Sequence, residues 1–328
     1  MSIVAPFATP ADNYHLMDEF VFDSATPTLI MCVTAILANL LNIAVFLVND
    51  ELRKKYMFYI ALDVGELING LSYVLTAIGR GAGVLDGTFA IPITFHECFF
   101  KRYWVHALIM GTELPALITI VLSVERILAV HKPKLYNAIV TTKTKIISLI
   151  AVGVVQLCFL GIAGFSAYGT LDMANTRHCA IITSTAAFYS TFHFTFVVSA
   201  YVISFTHFWS FSSSTGYRNP PIGLVNVFRL QRIKKSTKVA YGKKKSPQLA
   251  LFLSVTGSSI ILVAMPSIVM IGIRWQWFAI NDIGVGLTYA TTGFPSITNT
   301  VLNFIFREEY RNQLKNLRNS ASNQQEIQ

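Results

Sequence analysis

Charge is scarce in this chain. Only 13% of its 328 residues are Asp, Glu, Lys or Arg, about half the soluble-protein level of roughly 25%. Cysteine is scarce too, with four residues, Cys32, Cys98, Cys158 and Cys179, and no C-x-x-C pair. That spacing excludes the usual zinc ligand sets. There is no Gly-rich phosphate loop, nucleophile elbow or paired catalytic aspartate, and His106, His193 and His207 form no H-x-x-x-H set. Enzymatic activity is therefore not expected. The absence of any Asn-x-Ser/Thr sequon argues against N-glycosylation. The first residues lack a basic n-region, and Pro6, Pro10, Asp12 and Asp18 interrupt any apolar core. A cleaved signal peptide is thus not expected, and the first membrane helix would serve as the insertion signal. No internal repeat is visible, which weighs against an inverted-repeat transporter.

What the chain has instead is apolar length. Hydrophobic residues make up 53%, and the mean hydropathy is +0.52. Seven apolar segments lie at about residues 28–48, 56–78, 103–130, 146–168, 186–211, 248–273 and 282–306. Each reaches the length of about 20 residues that a bilayer requires. The expected fold is an all-α membrane protein, a seven-transmembrane helix bundle. Its flanks would be an acidic N-terminal stretch over residues 1–27 and a C-terminal part over 307–328.

Loop charge gives an orientation. Arg53-Lys54-Lys55 follows segment one, and Lys132, Lys134, Lys143 and Lys145 follow segment three. The loop between segments five and six is basic from Arg218 to Lys245, without one acidic residue. Lys and Arg collect on the cytoplasmic side, so the N-terminus is expected outside and the C-terminus inside. Within that loop, Val225–Lys238 could extend a helix into the cytoplasm. After the last span, Phe306, Tyr310, Leu314 and Leu317 recur at helical spacing. A short amphipathic helix on the inner membrane surface is expected there, followed by a disordered tail from Asn319. The tail has no cysteine for a palmitoyl anchor.

Several residues stand out against this background. Cys98 precedes segment three and Cys179 precedes segment five, both on the oxidising side, so a disulfide between them is expected. Cys32 and Cys158 read as small apolar packers. Glu125 and Arg126 close the third apolar run, with Pro133 ending the helix and Tyr136 following. Lipid offers such a pair no partner. A switch reading has Glu125 restrain Arg126 until release lets Arg126 meet a cytoplasmic partner; the plainer alternative is a snorkelling anchor. Asp63 and Glu66, three apart in segment two, should face the bundle interior. They could hold a sodium ion or a proton, or bond to Asn42 and Asn299 as a structural network. Glu113 lies about halfway along segment three. It could floor a ligand pocket or pair with a polar group on helix five such as His193.

Together, the seven spans, Cys98 with Cys179, and S-V-E-R-I-L-A-V-H-K-P-K-L-Y (Ser123–Tyr136) resemble the rhodopsin-like G-protein-coupled receptors. Segment two (A-L-D-V-G-E-L-I-N-G) and segment three (E-C-F-F…G-T-E-L-P-A…S-V-E-R) are similar to nematode serpentine receptors of the chemosensory or orphan type. The resemblance covers roughly Thr28 to Arg318. It implies a receptor that transmits an extracellular ligand to a heterotrimeric G protein. It implies that Asn42 is the first-helix asparagine, and that Glu66 or Asp63 is the second-helix acid. Arg126 then engages the G protein, Tyr201 plays the fifth-helix tyrosine and Pro266 is the sixth-helix kink. Asn299 and Asn303 stand where the family has Asn-Pro-x-x-Tyr, with Thr300 in place of its proline. Ala264 stands where the family carries a tryptophan. Ligand-pocket candidates, chosen by depth, are His106, Met110, Glu113, Tyr189, His193, Met270, Trp277 and Tyr289. The alternative from another class is a proton- or ion-coupled transporter using Asp63, Glu66 and Glu113 as a relay.

Overall fold

The structure is a computed structural model that describes residues 12–89, 91–174, 176–214, 254–277 and 291–325, with side chains along the first helix from Ile30 onward. Its described residues are almost entirely helical. Among the described residues, six helices are long and apolar enough to cross a membrane: Ile30–Leu47, Met57–Leu85, Tyr103–Ala129, Thr142–Ala167, Ala187–Thr206 and Ser254–Arg274. The chain is thus a multi-pass, all-α membrane protein. Of the expected seventh span, residues 282–290 lie outside the described residues, as does the basic loop from Arg218 to Lys245 with Val225–Lys238. Residues Phe294–Phe306 form a helix.

In chain order the elements are α1 (Asp12–Leu47), α2 (Asp50–Lys55), α3 (Met57–Leu85), β1 (Ile93–Thr94), α4 (Phe95–Lys101), α5 (Tyr103–His131), α6 (Pro133–Ile139) and α7 (Thr142–Ala167). Then come β2 (Met173–Ala174), α8 (Ile181–Ser184), α9 (Ala187–Ser214), α10 (Met265–Arg274), α11 (Phe294–Phe306) and α12 (Glu308–Gln325). A π turn, Ile260–Ala264, leads into α10. Pro266 lies inside the continuous helix Ser254–Arg274, so its missing N–H frees the Leu262 carbonyl, which accepts from the Thr291 hydroxyl at 3.3 Å. The π turn and the proline together give this helix its irregular point.

Four boundaries differ from the sequence reading. The first helix begins at Asp12 rather than near 28 and runs through Pro27, a residue that ordinarily ends or kinks a helix. The second runs on to Leu85, past 78, because its late glycines weaken a helix without stopping it. Pro133 starts a helix as well as following one: α5 ends at His131, and Pro133 is the first residue of α6. The tail is helical through Gln325 rather than disordered from Asn319, the acidic Glu308 and Glu309 lying where they favour a helix start.

Helix α5 is the central element, touching α3, α9, α7, α6 and α4. Its approach to α3 is close because small residues line the crossing. A Cβ on Gly111 would stand 2.7 Å from Asn69 Cα, and one on Gly65 would stand 3.3 Å from Pro115. At one end of the bundle, β1 and β2 pair antiparallel, Ile93 opposite Ala174. Cys98 on α4 is disulfide-bonded to Cys179, as expected. The Trp104 indole N–H donates to the Cys179 carbonyl at 3.2 Å, and Arg80 Nε donates to the His178 carbonyl at 2.8 Å. The loop after β2 is thereby fixed over the tops of α3 and α5. Cys32 is buried, whereas Cys158 is exposed on α7 and is not a packer.

Candidate switch site

Three polar clusters sit between these helices, each centred on a carboxylate the sequence had flagged. The deepest surrounds Glu113 on α5, which is fully buried. Tyr189 Oη and Gln156 Nε2 each donate to it at 2.9 Å, and His193 Nδ1 lies 2.8 Å from Oε1. His193 Nε2 in turn contacts the Thr112 hydroxyl at 3.0 Å. Helices α5, α7 and α9 are thus joined through one carboxylate. Of the two readings of Glu113, the pairing with His193 is the one observed. Gln156 was not anticipated, since a lone glutamine in an apolar run carries no signal of its partner.

The other described pocket candidates do not join this cluster. His106 packs its ring edge on Phe99 at 4.5 Å, Met110 is half-buried, and Met270 is buried in the apolar core at that end. Trp277 is 69% exposed, so it is no pocket floor here. Tyr289 lies outside the described residues.

The second cluster holds Asp63 and Glu66. Asn42 Nδ2 donates to Asp63 Oδ1 at 3.0 Å, and Asn42 Oδ1 accepts from Tyr310 Oη at 2.9 Å. Asn299 Nδ2 donates to Glu66 Oε1 at 2.6 Å. Both expected asparagine partners are therefore in place, one per carboxylate, and α12 is added through Tyr310. The second oxygens, Asp63 Oδ2 and Glu66 Oε2, are buried without a hydrogen-bond partner. Glu66 lines a narrow void with Thr119, Tyr201, Thr256 and Ser259, too tight for a water. Tyr201 also packs on Ala116, Val197 and Ala200. Asn303 is buried on α11. Among the described residues no group of three His, Cys, Asp or Glu could hold a metal ion.

The third cluster is the Glu125–Arg126 site at the opposite end from the disulfide. Arg126 lies 3.6 Å from Glu125, and its guanidinium faces the Tyr59 ring at 5.3 Å. Glu125 is buried and accepts two further contacts, from Lys145 Nζ at 3.1 Å and Tyr136 Oη at 3.4 Å. Burial and the nearby Glu125 charge both push the Tyr136 hydroxyl pKa up, keeping it a neutral donor. Lys145 was read as a loop charge. It sits in the first turn of α7, buried, and also reaches the Lys54 and Lys55 carbonyls at 3.4 Å.

Next to this site Arg307, between α11 and α12, is buried among aromatic rings. Its guanidinium lies 3.9 Å from the Tyr59 ring centre and 4.3 Å from Tyr56, a cation–π arrangement. Glu309 closes the corner, accepting from Lys55 Nζ at 2.6 Å and Tyr56 Oη at 2.7 Å. No protein-family model and no curated protein matches this chain. The site therefore has to be interpreted on its own geometry.

Proposed function

We propose that the chain is a seven-helix plasma-membrane receptor, with its N-terminus outside and its C-terminus in the cytoplasm. It would pass the binding of an extracellular ligand, of a chemosensory kind, to a heterotrimeric G protein. The observation that carries this reading is the Glu125–Arg126 pair at the end of the central helix. On this reading the mostly buried arginine, held by a carboxylate shared with Lys145 and Tyr136, takes up a second arrangement when a partner selects it. The ligand would enter between α5, α9, α10 and α11. An outward movement of the sixth span about Pro266 and its π turn would uncover Arg126. The basic inner face, from Arg53 to Lys55 and across the loop up to Lys245, complements an acidic G-protein surface.

The test uses calcium and cAMP responses in cells expressing the wild type and Arg126→Ala across a panel of volatiles, peptides and amines. A ligand response lost in Arg126→Ala at equal surface expression supports the receptor. A response that Arg126→Ala leaves intact removes the switch.

A second reading, a proton- or ion-coupled transporter, is favoured by one observation. The buried oxygens Asp63 Oδ2 and Glu66 Oε2 have no hydrogen-bond partner, which a proton or a sodium ion would supply. It expects proton or sodium flux that Asp63→Asn and Glu66→Gln abolish and Arg126→Ala leaves unchanged.

A further inference from the structure

Helix α12 presents two adjacent stripes. Tyr310, Leu314 and Leu317 turn inward onto the core that includes Phe46 and Tyr56. One residue further on, Arg311, Lys315 and Arg318 follow the same four-and-three spacing, so they line up along one side of the helix. Between that side and the spanning helices runs a groove of about 470 Å³. Its apolar lining comes from Leu41 on α1, Phe304 on α11, and Leu314 and Leu317. Its polar lining is the three cations, and among the described residues no carboxylate lines it. Glu309, the acid nearest in sequence to the stripe, is occupied elsewhere by Lys55 and Tyr56.

The depth of the groove defines what fits. Leu41 lies within the apolar span Ile30–Leu47, and Phe304 is in the last turn of α11. They are 41% and 50% exposed, so the floor is at acyl-chain level while the cations stand at its rim. Arg311 is held in place there. Its NH1 donates to the Phe304 and Ile305 carbonyls at 2.9 and 2.8 Å, two groups the end of α11 leaves without helical partners. Arg311 also lines the groove, and a guanidinium carries five donors, more than these two bonds use, in a fork suited to phosphate oxygens. A soluble anion would satisfy the rim and leave the floor wet, and a neutral acyl chain would do the reverse. We propose that this groove binds an anionic phospholipid, its phosphate on Arg311, Lys315 and Arg318 and an acyl chain along Leu41 and Phe304. The site does not depend on the chain being a receptor.

The test purifies the full chain into nanodiscs of phosphatidylcholine alone or with phosphatidylserine, and measures bound lipid by native mass spectrometry. The wild type should retain phosphatidylserine selectively. The double variant Lys315→Gln/Arg318→Gln should weaken that retention about 30-fold, from about 1 kcal/mol per cation near a membrane surface. Leu41→Trp, at a lipid-facing position, fills the floor and leaves the cations intact. It too should lose retention, while its melting temperature in phosphatidylcholine stays at the wild-type value. Equal retention of the two lipids overturns the site. So does retention that survives Leu41→Trp, which would be general surface attraction, or full displacement of the lipid by glycerol phosphate, which would be a headgroup site alone.

Discussion

Lys145 reaches Glu125 at 3.1 Å, closer than the 3.6 Å that separates Glu125 from Arg126. The carboxylate is therefore divided between a cation on the neighbouring helix and the arginine beside it. On the receptor reading, Lys145→Met leaves the carboxylate to Arg126 and the Tyr136 hydroxyl. Basal G-protein signalling should fall, with recovery in Lys145→Arg. Removing one partner of a buried ion pair costs about 3–5 kcal/mol. Here Arg126 remains, so the loss should be smaller and readable as a lowered melting temperature. Unchanged melting and basal signalling in Lys145→Met would show that the lysine does not hold Glu125.

Glu113→Ala should be the more damaging change. It leaves Gln156, Tyr189 and His193 facing a buried space with no acceptor, at about 1–3 kcal/mol for each orphaned group. Glu113→Gln keeps one oxygen and should melt between the two. Circular dichroism against temperature in detergent gives the order, and a Gln variant less stable than the Ala variant contradicts it.

Gly111→Ala places a methyl 2.7 Å from the Asn69 Cα, against backbone that cannot turn aside. Overpacking of this kind costs about 1–3 kcal/mol. The same substitution at Gly161, inside α7 where a Cβ meets nothing within 4 Å, should raise stability slightly, by about 0.5–1 kcal/mol. Equal melting temperatures for the two variants would mean that α3 and α5 are not so close.

The Glu309 corner gives a pH dependence. Burial acts to raise the Glu309 pKa, but the Lys55 and Tyr56 hydrogen bonds and the Lys55 and Arg307 charges outweigh it, and the carboxyl is held below its ordinary 4.5. A depressed folded value means that stabilisation is present above 4.5 and fades as pH falls through the lower folded value. Protection of the α12 amides, taken relative to their intrinsic exchange rates, should therefore fall below that point in the wild type. In Glu309→Gln protection should already be low at neutral pH, with no further acid step. A wild-type profile flat down to the acid limit would discard the tie.

Much of this organisation was legible in the residues, for identifiable reasons. Apolar run length placed six spans, since a bilayer sets a minimum that composition alone reveals. Asn42 and Asn299 could be named in advance as partners for Asp63 and Glu66, though not which goes with which, and His193 as a partner for Glu113, because a polar group inside an apolar run must find another at similar depth. Lys145, Gln156, Arg307 and Glu309 were not legible as partners. Each looks like an ordinary loop charge or a lone polar residue until tertiary packing brings α7 or α12 against the bundle. Trp277 failed for the opposite reason, a large aromatic at the end of a span reading equally well as pocket or surface.

The Tyr59 ring lies between two cations, with Arg126 at 5.3 Å and Arg307 at 3.9 Å. Each guanidinium is attracted to the ring and repelled by the other, so the quiet arrangement holds two like charges together through a third party. Movement of either arginine relieves that repulsion and leaves the ring to the one that stays. The third span and the junction before α12 are thus coupled as rivals: whatever draws Arg126 away also tightens the hold on Arg307.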